Sequence, residues 1–192
     1  AGMVAVTEKY LNNKFSQKLD KSNVVILGGT GPVGVASAVI CAKAGANVTL
    51  VGRSLEKAEK IAGICNDRYD SKNVKGGADA DKSDFFNVAD IVLNTGAAGI
   101  QLMSEEHIKN SNTLKICADT NAVPPSGIAG VDVMDNGKVI EMSPSKCLGI
   151  GALAIGNIKY KSQHECLKLM YTSEKPVYLD FEDAFKFAQK SV

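Results

Sequence analysis

The chain has 192 residues, 45% of them hydrophobic, with 22 basic against 21 acidic side chains and a formal net charge of +1. That length supports one substantial domain but not two full-sized ones, and the even charge balance excludes nucleic-acid or membrane binding driven by bulk charge. Five cysteines without a Cys-x-x-Cys pair, and only two histidines, argue against a disulfide framework or a metal site and for small buried thiols in a reduced, cytoplasmic protein.

No apolar run approaches the ~20 residues of a membrane helix, and no basic-then-apolar secretory opening is present. The Ala-Gly-Met start reads as a processed terminus or as a piece of a longer protein. Residues 2–13 carry Met3, Val6, Tyr10 and Leu11 near one helical face, and 14–22 are polar and charged. We take 1–20 as a connecting helix with a linker and 21–192 as the main domain.

Val24-Val25-Ile26-Leu27 is an unbroken, β-branched apolar run, the signature of a strand buried on both faces of a parallel sheet. A helix over 33–44 follows, with Gly45 as its natural stop. A second strand spans 47–51, and Ser54 caps a helix to about Tyr69. A short third strand is expected at 74–78, a short helix or turn at 81–88, and a fourth strand at 90–94. Ser104 caps a helix over 104–110, whose first turn carries Glu105 and Glu106, well suited to the positive helix start. A fifth strand is expected at 113–118. Within 132–142, Asp135-Asn136-Gly137 predicts a turn between two strands. A long helix over 151–170, weakened by Gly156, and a last helix from Asp180 to about Lys190 complete the pattern. Strands alternating with helices predict a doubly wound, mostly parallel α/β sheet, a three-layer αβα Rossmann fold.

Gly29-Thr30-Gly31-Pro32-Val33-Gly34 links the first strand to the following helix within one βαβ unit, the context that gives a Gly-x-Gly-x-x-Gly run its meaning. Gly29 is assigned the tight turn, Gly31 the close approach of a pyrophosphate, and Gly34 the close packing of helix on strand. The free N–H groups and positive dipole of the helix start complete an anion site, and Pro32 at that start sacrifices no hydrogen bond. At the end of the second strand, where NAD sites usually place an acid for the ribose 2′-OH, the chain has Gly52-Arg53-Ser54, with Lys57 one turn on. A guanidinium fork, a hydroxyl and an ammonium suit a 2′-phosphate, so the expected cofactor is NADP.

In open parallel sheets ligands bind beyond the carboxyl ends of the strands. Three further segments reach that edge and supply candidate cofactor contacts: Thr95, Gly96 and Ala97 after the fourth strand, Asp119 and Asn121 after the fifth, and Gly151 and Ala152 at the start of the long helix. No catalytic dyad is evident, because His107 and His164 fall on charged helices. Hydride transfer needs no nucleophile or metal, only oriented carbons and exclusion of water.

Gly28–Gly34, then Gly52-Arg53-Ser54, then Ala118-Asp119-Thr120-Asn121-Ala122-Val123-Pro124-Pro125-Ser126-Gly127-Ile128, and finally Gly151–Gly156 with Lys159 and Lys161 resemble the NADP-dependent methylene-tetrahydromethanopterin dehydrogenases of one-carbon metabolism. The resemblance covers nearly the whole chain from residue 2. It implies reversible hydride transfer between NADP and a tetrahydropterin one-carbon carrier, and association into homo-oligomers. It also implies a smaller N-terminal domain ahead of Ala1, with substrate between the two. Two other functions remain open at this point: a non-catalytic NADP-binding module, and an NADP-dependent reductase of another small substrate, by fold analogy with shikimate dehydrogenase and glutamyl-tRNA reductase.

Overall fold

The run Val24-Val25-Ile26-Leu27 becomes the centre of the sheet because it can bury both faces. In the computed structural model, which describes residues 1–192, Val24 and Ile26 enter one apolar core while Val25 and Leu27 enter the other. The elements in chain order are α1 (Gly2–Phe15), β1 (Asn23–Leu27), α2 (Pro32–Lys43), β2 (Asn47–Gly52), α3 (Leu55–Tyr69) and β3 (Val74–Ala78). They continue with α4 (Lys82–Val88), β4 (Ile91–Asn94), α5 (Glu105–Asn110), β5 (Ile116–Asp119), β6 (Asn136–Val139), β7 (Leu148–Ile150), α6 (Ala152–Thr172) and α7 (Phe181–Ser191).

The sheet has seven strands in the order β3-β2-β1-β4-β5-β7-β6. All neighbours are parallel except β6, which runs antiparallel to β7. Helices α1, α2, α3, α6 and α7 supply the core on one face, and α4, α5 and the 128–140 segment supply the other. This is the expected three-layer, doubly wound arrangement. Chain order reverses between β1 and β4, and a crevice opens at their carboxyl ends.

The local signals act as expected at most helix ends. Ser54 accepts from Lys57 N–H, Ser104 from His107 N–H, and Asp180 from the N–H groups of Glu182 and Asp183. Gly45 takes φ +91° just past α2. The 1–20 segment, set apart in the sequence as a connection, packs into the first core through Met3, Val4, Ala5, Val6, Leu11 and Leu19. No helix is long and apolar enough to cross a membrane. Four of the five cysteines are buried, and burial pushes the Cys41 thiol up to about 12.

One expectation fails. Asp135-Asn136-Gly137 is not a turn between two strands: Asn136 and Gly137 open β6, and the hairpin loop lies at 140–147, before β7. Asp135 closes a turn with Asp132 through its main chain and its carboxylate instead. Gly137, at φ +77°, sits at the irregularity in the β6–β7 register and under the Tyr10 ring, where a Cβ would lie 2.2 Å from the ring edge. Tyr10 Oη donates to the Asn136 carbonyl at 2.6 Å. A contact from the far end of the chain thus overrides the local turn chemistry.

Helix α2 is seated against the strand–loop junction with no room to spare, since a Cβ on Gly34 would lie 2.4 Å from the Gly29 carbonyl oxygen. Gly34→Ala is expected to cost about 1–3 kcal/mol by overpacking. Urea unfolding would report this as a lower midpoint with unchanged slope; an unchanged midpoint would mean that α2 can shift without loss.

Candidate functional site

The loop after β1 is shaped by four glycines with separate reasons. Gly28 makes the turn at φ +64°, and its missing Cβ leaves room for Gly96, whose Cα would otherwise lie 2.5 Å away. The turn thus belongs to Gly28, which sequence reading left out of the site, rather than to Gly29. Gly29 is buried, and a Cβ there would strike Leu50 and the Ile26 carbonyl. Gly34 seats α2. Gly31 differs: a Cβ built on it would meet only the Gly28 carbonyl oxygen, at 3.8 Å. No packing demand requires glycine at 31, and the space above it is open.

The backbone donors agree. Gly29 N–H is bonded to Val51, Gly31 N–H to Gly28 and Val35 N–H to Gly31. The N–H groups of Thr30, Val33 and Gly34 donate to no acceptor in the chain, and α2 has no side-chain cap. Pro32, as expected, occupies the first helical position. Three unpaired donors at the positive end of a 12-residue helix, beside a site with no Cβ, fit a dinucleotide diphosphate.

The end of β2 adjoins this loop. The Thr30 methyl packs over Gly52, where a Cβ would lie 2.9 Å from it. Arg53 and Ser54 follow, both exposed, and Lys57 lies on the first turn of α3. Neither Arg53 nor Lys57 takes part in any ion pair. The Ser54 oxygen is occupied as acceptor by Lys57 N–H at 3.3 Å, which leaves its O–H to donate. Two unpaired cations and a free hydroxyl at the ribose end of a diphosphate site suit a 2′-phosphate.

On the other side of β1, Thr95 is held to Leu27 by both its N–H and its hydroxyl, each at 2.9 Å. This carries Gly96 and the exposed Ala97 to the rim of the crevice. Asp119 and Asn121 also lie at this edge, but their side chains serve the protein. Asp119 is 1% exposed, and its carboxylate accepts from Asn94 Nδ2 at 2.7 Å, Asn121 N–H at 2.9 Å and Ile128 N–H at 3.0 Å. The Asn121 amide bridges Gly99, Val123 and Pro125. Gly151 caps α6 at the end of β7, two strands beyond β4, and it is glycine because a Cβ would run into the carbonyls of Asp132 and Val133. Ala152, half-buried, begins α6 beside it. A cleft of about 360 Å³ opens next to these loops, lined by Asn121, Val123, Pro124, Val131, Asp132 and Val133.

Asn94, completely buried at the end of β4, was also missed by sequence reading; an amide closing an Ile-Val-Leu strand was its only signal. His107 lies away from the crevice, its Nδ1 accepting from Ser104 N–H in the α5 cap. Burial and the nearby Lys82 ammonium lower its pKa. His164 is exposed on α6, 3.7 Å from Glu165.

Comparison with known proteins finds relatives by sequence and by fold. The chain is 38% identical over 191 residues to the NAD(P)-dependent methylenetetrahydromethanopterin dehydrogenase of Methylorubrum extorquens, an alignment covering 98% of this chain and 64% of the relative. It is 37% identical over 169 residues to the bifunctional protein MdtA of the same organism, covering 86% of this chain and 57% of that one. The chain therefore spans less than two thirds of either relative. No family model matches it. Among solved structures, quinate dehydrogenase from Corynebacterium glutamicum in complex with NAD superposes with a TM-score of 0.59 at 16% identity, over the whole of this chain and 62% of the other, which shows the shared Rossmann fold. The dehydrogenase resemblance carried by the glycine loop and the Asn-Ala-Val-Pro-Pro run is thus borne out.

The open space at Gly31 separates binding from folding. Gly31→Val should leave the melting temperature near that of the parent while abolishing dinucleotide binding by titration calorimetry. Retained binding would take the loop out of the site, and a large loss of stability would give Gly31 a packing role.

Proposed function

We propose that this chain is the NADP-binding part of an oxidoreductase that moves hydride between NADP and a methylene-tetrahydropterin one-carbon carrier. The observation that carries the reading is the pairing of two features at one strand edge: unpaired N–H groups at Thr30, Val33 and Gly34 over the open face of Gly31, and the unpaired guanidinium of Arg53 one strand away. The first suits a diphosphate; the second suits the phosphate that distinguishes NADP from NAD.

NADP, when bound, supplies or takes up the hydride. The chain's residues bind and orient. The start of α2 neutralises the diphosphate with main-chain donors, which cost no reorganisation because the helix already fixes them. Arg53 would hold the 2′-phosphate, with the Ser54 hydroxyl as a further donor and Lys57 as added charge. Thr95, Gly96 and Ala97 give the far half of the dinucleotide a smooth wall of small side chains. The cleft between the 121–126 loop and the 131–133 turn, with exposed Val123 and Pro124 beside the exposed Asp132 carboxylate, offers a mixed surface for a pterin-like ring that carries both a flat face and hydrogen-bonding edges. The carrier class is drawn from the named relative.

Arg53→Ala is expected to weaken NADP by roughly 1.5–3 kcal/mol, the range for hydrogen bonds to charged groups, and to leave NAD nearly unchanged. Calorimetric titration of both cofactors checks this, and equal losses would make Arg53 a structural residue. The catalytic part of the proposal is tested by following nicotinamide absorbance while NADP and methylene-tetrahydromethanopterin are mixed with the chain, alone and with the remaining third of its relative added. Turnover in either mixture supports it. Tight NADP binding without turnover in both leaves a cofactor-binding module and removes the dehydrogenase.

A further inference from the structure

Behind the ends of β4 and β5 lies a sealed polar cluster that the phosphate loop does not need. Asn94 is 0% exposed and Asp119 1%, so neither can reach a ligand without unfolding the edge. No cation pairs with Asp119. All three of its partners are donors, namely Asn94 Nδ2, Asn121 N–H and Ile128 N–H, as an ionised carboxylate requires. The space is filled to contact: a Cβ on Gly127 would lie 1.8 Å from Asn94 Nδ2 and 3.0 Å from Asp119 Oδ1. Burying an anion on neutral donors alone is costly, and an apolar pair would fill the same volume at less expense. What the carboxylate provides is geometry.

That geometry joins three pieces of chain. Asn94 Oδ1 accepts from Gly96 N–H at 3.0 Å and so fixes the loop after β4. Asp119 fixes Asn121, whose amide oxygen accepts from Gly99 N–H at 3.3 Å and Val123 N–H at 3.1 Å, tying the loop after β4 to the loop after β5. Asp119 also holds Ile128, and the adjoining Gly127 carbonyl accepts from Leu102 and Met103. With the 2′-phosphate at β2 and the diphosphate at β1, the sheet order directs the remaining half of the dinucleotide toward β4 and β5.

We propose that Asp119 is a positioning residue: through Asn94 and Asn121 it sets the spacing of the 95–99 and 121–128 loops that receive the nicotinamide half of the cofactor, without touching the cofactor itself. The inference rests on the NADP reading above and revises the part expected of Asp119 and Asn121 from contact to support.

The test titrates NADPH and, separately, 2′,5′-ADP, which carries only the adenosine half, into the parent chain, Asp119→Asn and Asn121→Ala. In Asp119→Asn one carboxylate acceptor becomes an NH₂ group, so a donor is left facing Ile128 N–H if it replaces Oδ2, or both Asn94 Nδ2 and Asn121 N–H if it replaces Oδ1. Asn121→Ala leaves the Asp119 bonds intact and removes the tie to Gly99 together with the amide's bonds to Val123 and Pro125 within its own loop, which keeps the test valid should the first variant fold poorly. NADPH is expected to weaken about tenfold in both variants, as for the loss of buried hydrogen-bond partners, while 2′,5′-ADP stays within about twofold. Parallel loss of both ligands in Asn121→Ala, or unchanged NADPH affinity in that variant, overturns the inference. A parent chain that binds neither ligand overturns the NADP reading, and this inference with it.

Discussion

Three main-chain N–H groups without partners, at the start of α2, are the feature on which the rest of the site turns. Ser54, Ser104 and Asp180 each accept from the first turn of their helix, whereas α1, α4 and α6, like α2, start without a side-chain cap. Helix α2 has no such cap, and its first turn holds a proline and two glycines' worth of bare backbone between Gly31 and Gly34. Such donors take water or a ligand as their partner. The sheet order brings that edge between β2 and β4, so the same constraint that builds the Rossmann core also exposes the donors at its topological switch.

The floor of the crevice is rigid because backbone meets backbone there. Gly28 lies against Gly96, Gly29 against Leu50 and Ile26, and Gly34 against Gly29. Only Gly31 faces outward. This contrast separates glycines that serve packing from the one that leaves room, a distinction that a Gly-x-Gly-x-x-Gly pattern cannot make by itself.

The sequence made legible whatever depended on near neighbours. The β-branched run at 24–27, the caps at Ser54, Ser104 and Asp180, the stop at Gly45 and the alternation of strand with helix all follow from local chemistry, and each appears in the structure. What could not be read depended on contacts between distant residues. Gly28 makes the turn because Gly96 approaches it from another strand. Asp135-Asn136-Gly137 looks like a hairpin turn, yet the Tyr10 ring presses Gly137 into the start of β6. Strand β7 is three residues long and contains a glycine, too short for any periodicity to show. At the site, the cations at 53 and 57 and the small residues at 95–97 fall where expected, because strand ends define them. Asp119 drew a ligand-binding reading from its position at a strand end, whereas its two oxygens are consumed by Asn94, Asn121 and Ile128, partners that no spacing rule connects to it.

The most direct test of the account follows the backbone amides of the isotope-labelled chain by nuclear magnetic resonance while NADPH is added. The account predicts that the amide signals of Thr30, Val33 and Gly34 move farthest within the 28–35 loop and gain protection from exchange, with Arg53 moving for NADPH but not for NADH. Saturable binding that leaves those three amides unmoved would contradict it, because the diphosphate would then lie elsewhere.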